Sequence, residues 1–191
     1  MTRILPIKNL NYLKIPVNNV DVSKFNTDFS KAVVIPPLYK DENRRWVPEE
    51  LDKVCAYLVE RDFIPVFLGK TSKSYKDIEV PKCGLNLINK TTILESAKII
   101  SLCKVVVGID CGLLHLAGMT DTPIVAGYTY ASPEIRMPIR NNRIGFNVKK
   151  IVPNLPCSFC QDRWQLESYE FANCYYGTNE CVKKLTSEKF I

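Results

Sequence analysis

Histidine is almost absent from this chain: there is one, His115, in 191 residues. That excludes a histidine-rich metal centre, so any metal site must rest on thiolates or carboxylates. Neither a Walker-type phosphate loop nor a Ser–His–Asp order occurs, which removes two familiar routes to phosphate binding and nucleophilic catalysis. No apolar run approaches membrane-spanning length. The first ten residues lack the long apolar segment of a signal peptide, which points to a cytoplasmic protein. A large charge excess is missing too: 26 basic and 20 acidic residues are interspersed, for a net charge of +6. With no basic tract interleaved with aromatics, nucleic acid is not the expected main partner, whereas an anionic small molecule suits the balance. There is no internal repeat and no low-complexity tract, and a 46% hydrophobic content is enough for a real core.

What is present alternates between strand and helix signals. Residues 1–30 read as an irregular lead-in with Pro6, Pro16 and several Asn. Ala32-Val-Val-Ile-Pro36 predicts a strand, and a polar loop with Arg44 and Arg45 follows. Pro48-Glu49-Glu50 opens a helix, since proline suits its first position and carboxylates its first turn. Ile64-Pro-Val-Phe-Leu68, stopped by Gly69, is the next strand, and a basic, Ser-rich loop runs from Lys70 to about Lys82. Leu85-Asn-Leu-Ile88 is a short strand candidate. Thr92-Ile-Leu-Glu95 fits a capping box, with Ile93, Ala97 and Ile100 expected inward. Thr122-Pro-Ile-Val-Ala126 and Arg143-Ile-Gly-Phe-Asn-Val148 are the last strand candidates, on either side of a loop from Tyr128 to Asn142. Such alternation predicts one α/β domain with a parallel, helix-covered sheet over residues 31–152 and a Cys-rich segment over 153–191.

Between these lies Val105-Val-Val-Gly-Ile-Asp-Cys-Gly-Leu-Leu-His-Leu-Ala-Gly118, a buried strand running through small residues into a helix. In α/β proteins ligands gather at such carboxyl ends, and the first turn of the following helix favours an anion. Asp110, Gly112 and His115 are spaced to share a ligand. The same pattern also fits a plain strand–turn–helix with Asp110 as cap and His115 packed. Arg44 or Arg45 and Lys70 follow other strand ends and could converge on the same cleft, where arginine suits a diphosphate. Thr91 and Thr92 could offer hydroxyls there or simply cap their helix. In the tail, Cys157-Ser-Phe-Cys160, Cys174 and Cys181 can supply four thiolates to a structural zinc. Plain reduced thiols and disulfides remain open alternatives.

Taken together, these segments resemble glycosyltransferase family 9, the heptosyltransferase-like enzymes. Asp110-Cys-Gly-Leu-Leu-His115-Leu-Ala is similar to that family's Asp-(Thr/Ser)-Gly-x-x-His-x-Ala signature. In matching order stand Val33-Val-Ile-Pro-Pro, Arg45-Trp46 with Pro48-Glu49-Glu50-Leu51, Pro65-Val-Phe-Leu-Gly69, Asn86 to Glu95, and Thr122-Pro-Ile-Val. The likeness covers about residues 30–185, and cysteines placed like those of this tail recur in many members.

The resemblance implies a GT-B fold of two Rossmann-like domains, of which this chain looks like the donor-binding half. It implies that Arg45 meets the diphosphate of a nucleotide-diphospho-sugar, that Asp110, Cys111, Gly112 and His115 form the donor signature, and that Thr91 and Thr92 border the nucleotide. No cofactor for catalysis is implied. Cys111 departs from the usual Thr or Ser, and Lys70 and Thr71 stand where a ribose-holding carboxylate is common. The lead-in is too short for an acceptor domain, so either a partner protein supplies one, or the chain is a fragment, or the domain binds nucleotide-sugars without transferring them, and no general base can be named. A non-catalytic nucleotide-sugar-binding module is the alternative; an unrelated α/β protein is a third.

Overall fold

The computed structural model describes residues 14–39, 41–71, 80–140, 143–164, 174 and 176–191. Part of the lead-in, most of the Ser-rich loop and positions 165–173 therefore lie outside the described residues.

Six strands form one sheet: β1 (Ala32–Ile35), β2 (Ile64–Phe67), β3 (Leu85–Asn86), β4 (Val105–Ile109), β5 (Ile124–Gly127) and, after a small hairpin, β8 (Val148–Ile151). Their order is β3-β2-β1-β4-β5-β8, and every pairing is parallel. Strand side chains alternate between faces, so each buried β-branched run feeds two cores. Val34, Val66, Val106 and Ile124 face one way, with Ile99 and Ile100 of α2 (Ile93–Leu102) and Leu114 and Ala117 of α3 (Gly112–Gly118). Val33, Ile35, Phe67 and Val107 face the other, with Leu51, Val54, Cys55 and Leu58 of α1 (Pro48–Val59). This is the expected single Rossmann-like domain with its sheet covered on both sides.

The helix signals hold at their starts. Pro48 opens α1. The capping box at Thr92 closes, Glu95 N–H donating to the Thr92 hydroxyl at 3.2 Å and Thr92 N–H to the Glu95 carboxylate at 2.7 Å. The inward face of α2 is rotated from expectation: Ile99 is buried and Ile93 is 73% exposed. At 3.6 residues per turn, Ser96, Ala97, Ile99 and Ile100 fall on one stripe, and that stripe meets the sheet.

The expected last strand is also displaced. Arg143–Ile144 (β7) pairs antiparallel with Ile139–Arg140 (β6). The sixth strand of the main sheet begins only at Val148, because Gly145 (φ +67°) and Asn147 (φ +58°) turn the chain between them. The hairpin is held under α3 by the buried Arg140, whose guanidinium donates to the carbonyls of Ala117 and Gly118 at that helix's end. The loop expected over 128–142 also contains a helical turn, α4 (Pro133–Arg136).

The end of the chain seals the α1 face. After α5 (Cys160–Trp164) and α6 (Glu180–Lys183), Leu185 and Phe190 enter the core, and Phe190 meets Trp46 with ring centroids 4.7 Å apart. Glu50 fastens this segment, accepting from Ser187 N–H at 2.5 Å and from Lys53 at 2.7 Å. Lys53 and Ser187 hold the Glu50 carboxyl at about 2. A carboxyl lowered on folding adds stability above its unfolded value, and that stability is lost as pH falls toward the folded one. Urea midpoints should therefore drop between about pH 4.5 and pH 2 by more in the wild type than in Glu50→Gln; parallel curves would remove Glu50 as the latch.

Candidate functional site

β1 and β4 are neighbours, and the chain leaves them toward opposite faces, β1 to α1 and β4 to α3. Their carboxyl ends therefore part and leave a crevice, the switch point of an open parallel sheet. Asp110 N–H donates to Gly127 O at 3.0 Å, extending the β4–β5 ladder by one residue and setting the Asp110 side chain at that edge. The cap of α3 is Cys111, which makes no side-chain capping bond, so Asp110 does not have the capping role that a plain structural turn would give it.

A cavity of about 510 Å³ opens at this edge. Its polar wall includes Lys70, Thr91, Thr92, Cys111, Gly112 and His115; Leu38, Leu68, Ile93, Leu113, Leu116 and Met119 supply the apolar wall. Five of the seven donor residues anticipated from sequence thus meet here. His115 is exposed on the cavity wall and is not packed in the core. Gly112 has nothing within 4 Å of where a Cβ would stand, so packing does not demand a glycine there. Burial pushes the Cys111 thiol up to about 11, so at neutral pH it offers the site a neutral S–H. The Thr92 hydroxyl already accepts the Glu95 amide, and the Thr91 hydroxyl shares a hydrogen bond with Ser96 at 2.8 Å.

Asp110 and Arg45 do not line that cavity. Asp110 is 5% exposed beside it, and two arginines approach its Oδ2: Arg44 Nη1 at 3.8 Å and Arg136 Nε at 3.8 Å. Arg45, the residue anticipated at the diphosphate, turns to Glu42 at 3.2 Å. Glu42–Arg44 is a 3₁₀ turn anchored from a distant segment by Thr129, whose hydroxyl donates to Asn43 O at 2.5 Å, and Arg45 follows it in extended backbone. Arg44 also pairs with Asp41 and lies over the Tyr130 ring at 5.3 Å. Burial opposes its charge, but Asp41, with lesser help from Tyr130 and Asp110, raises its pKa.

Arg136 had no role assigned from sequence. The signal was there in Ser132-Pro133-Glu134, a cap, a proline at the first helical position and an acid in the first turn. It marks α4, the turn that carries Arg136 to Asp110.

Two of the tail cysteines, Cys157 and Cys160, line a second cavity of about 330 Å³ with Tyr176, Thr178 and Glu180. All four of Cys157, Cys160, Cys174 and Cys181 are free thiols within electrostatic reach of one another. Burial works to raise the Cys174 thiol, yet the amides of Asn179, Thr178 and Tyr176 bring it below its ordinary value. Burial, then Cys174, pushes Cys181 up to about 11. Among the described residues no group of three His, Cys, Asp or Glu is already drawn together tightly enough to hold a metal ion.

An open, wholly parallel sheet with a cleft at its switch point defines a Rossmann-like α/β protein. Within that class the chain belongs to glycosyltransferase family 9 (heptosyltransferase), whose family model matches residues 12–166. It is 36% identical over 104 residues to lipooligosaccharide heptosyltransferase 2 of Haemophilus influenzae, across 50% of this chain and 30% of that protein. The fold is shared with the iron-containing dodecameric glycosyltransferase TibC from enterotoxigenic E. coli H10407, with a TM-score of 0.67 and 16% identity over 83% of this chain and 42% of that one. TibC has also been solved in complex with ADP-D-β-D-heptose. E. coli ADP-heptose lipopolysaccharide heptosyltransferase II is a further neighbour, with a TM-score of 0.52 and 20% identity over 66% of this chain and 39% of that one. The chain thus spans less than half the length of these relatives.

Asp110 is the shared partner of two arginines, so its loss should be felt in the fold as well as in the site. Asp110→Asn is expected to cost about 1–3 kcal/mol in urea unfolding, the penalty of under-satisfied buried polar groups. An unchanged midpoint would mean that the arginines do not lean on it.

Proposed function

We propose that the cleft binds a nucleotide-diphospho-sugar and presents it for sugar transfer, as the donor site of a heptosyltransferase-like enzyme. The observation that carries this reading is Gly112: the fold leaves open space at its Cβ position, on the wall of a cavity at the switch point. A ligand brought close to the backbone gives a glycine there a purpose. Asp110, Cys111, Gly112 and His115 make the donor edge, and Thr91 and Thr92 border the nucleotide. Arg44 takes the diphosphate role anticipated for Arg45, since Arg44 stands beside Asp110. Its planar fork matches a diphosphate and would stabilise the charge that leaves with it. ADP-heptose is the donor to try first, because TibC has been solved with it. The acceptor is held by a second domain, which also supplies the proton-removing base.

Thermal unfolding with a panel of nucleotide-sugars, together with assay of nucleoside diphosphate release, tests the reading. Stabilisation by a donor, with release that depends on acceptor or partner, is expected. Stabilisation without release under any condition favours a binding module, and no stabilisation by any donor overturns the reading. Gly112→Ala should fold as stably as the wild type yet bind donor about tenfold more weakly or worse, a loss of about 1.4 kcal/mol. Arg44→Ala and His115→Ala should also lose about tenfold, whereas Arg45→Ala should lose less than about threefold.

We also propose that Cys157, Cys160, Cys174 and Cys181 hold one structural metal ion. Four thiolates suit zinc or iron, and TibC is described as iron-containing. Cys157 and Cys160 on the wall of the second cavity, with Cys174 and Cys181 within electrostatic reach of Cys160, support this. Protein purified without chelator should carry about one metal ion per chain and lose it on Cys157→Ser with Cys160→Ser. Metal-free protein with unchanged stability would refute it.

A further inference from the structure

Three cysteines lie outside both the cleft and the tail, and two of them, Cys55 and Cys83, lie close together. Cys55 stands on the inward face of α1, fully buried in the cluster that holds Leu51, Val54 and Phe67. Cys83 is exposed, in the turn that leads through Gly84 into β3. Its thiol lies close enough to the Cys55 thiol to act on it, and both are free. The neighbours of Cys83 are pressed onto the same patch. Val80 packs against the α1 cluster, and a Cβ at Gly84 would stand 2.5 Å from the Pro65 carbonyl oxygen and 2.9 Å from the Phe67 ring. The turn is thus held by packing over Phe67, in the same cluster as Cys55, and a disulfide needs the two sulfurs to close to a bond of about 2.0 Å.

We propose that Cys55 and Cys83 form an oxidisable pair that closes into a disulfide and staples α1 to the connection between β2 and β3. The oxidant is a small disulfide such as glutathione disulfide. The Cys83 thiolate attacks one of its sulfurs, forming a mixed disulfide and releasing one glutathione thiolate. Cys55 then attacks the Cys83 sulfur, the second glutathione departs, and each glutathione thiolate takes up one of the two protons the protein has lost. Two electrons pass from the protein thiols to the oxidant, so the exchange balances. Burial, and then the neighbouring Cys83, push the Cys55 thiol up, which leaves the exposed Cys83 as the sulfur that meets the oxidant first.

The staple would fall where the sheet is weakest. β3 is an edge strand paired to β2 through Leu85 and Asn86 only. The connection into it begins with Gly69 and Lys70 on the cavity wall and is tied back by Asn89, which donates from its N–H to Gly69 O at 2.9 Å. Closing the pair would fasten the other end of that connection to a core helix.

The test needs no donor. The folded, reduced protein is incubated with glutathione disulfide, remaining thiols are alkylated, and peptides are mapped by mass spectrometry, with the same treatment in denaturant as reference. The expected product is a Cys55–Cys83 linked peptide far more abundant from folded than from denatured protein. Its formation should raise the unfolding temperature by roughly 5–10 °C. Dithiothreitol should reverse the change, and Cys83→Ser, an exposed substitution that leaves the fold intact, should abolish it. Cys83 ending as a lone mixed disulfide with Cys55 still free, or linked peptide no more abundant from folded than from denatured protein, would overturn the proposal.

Discussion

The pairing of β1 with β4 is the constraint on which the rest of the molecule depends. Four consecutive residues of β1 are fully buried, and that strand can only sit in the middle of a sheet covered on both faces. Val33 aligns with Val105 and Val34 with Val106, so the two central strands end side by side. Their continuations must then diverge, because α1 belongs to one core and α3 to the other. The cleft is the geometrical residue of that divergence, and it exists whether or not any ligand occupies it.

Electrostatics gives the cleft a polarity. Asp110 is buried where two arginines from distant segments reach it, one on the turn after β1 and one on α4 after β5. A buried carboxylate is costly unless paired, so these cations are drawn to the strand ends. Arg44 and Arg136 thus stand at Asp110 beside the cavity, while apolar side chains of α2 and α3 line its wall.

The tail takes part in this edge. Phe159 N–H donates to Thr129 O at 3.0 Å, Gln161 N–H to Tyr130 O at 3.0 Å, and the Asp162 carboxylate accepts from Ser132 N–H at 2.8 Å. The segment that starts at the Cys-x-x-Cys knuckle therefore braces the loop carrying Tyr130 and Arg136. Whatever orders those cysteines also steadies one of the two arginines, which links the structural end of the chain to the cleft.

Sequence alone determined the local matters. Helix starts at Pro48 and Thr92 were legible because capping is settled within four residues. Buried strands were legible because runs such as Val105-Val-Val have few other uses, and the signature around Gly112 marked the cavity wall for the same reason of compactness. Only the tertiary structure decided the rest. Which of two adjacent arginines reaches Asp110 depends on a 3₁₀ turn anchored 86 residues away at Thr129. The role of Arg136 depends on a loop brought across the sheet. The start of β8 depends on left-handed residues at 145 and 147. The closeness of Cys55 and Cys83 depends on α1 and the β3 turn meeting over Phe67. Pairing between distant segments has no periodicity to betray it, since it arises from the closing of the whole sheet.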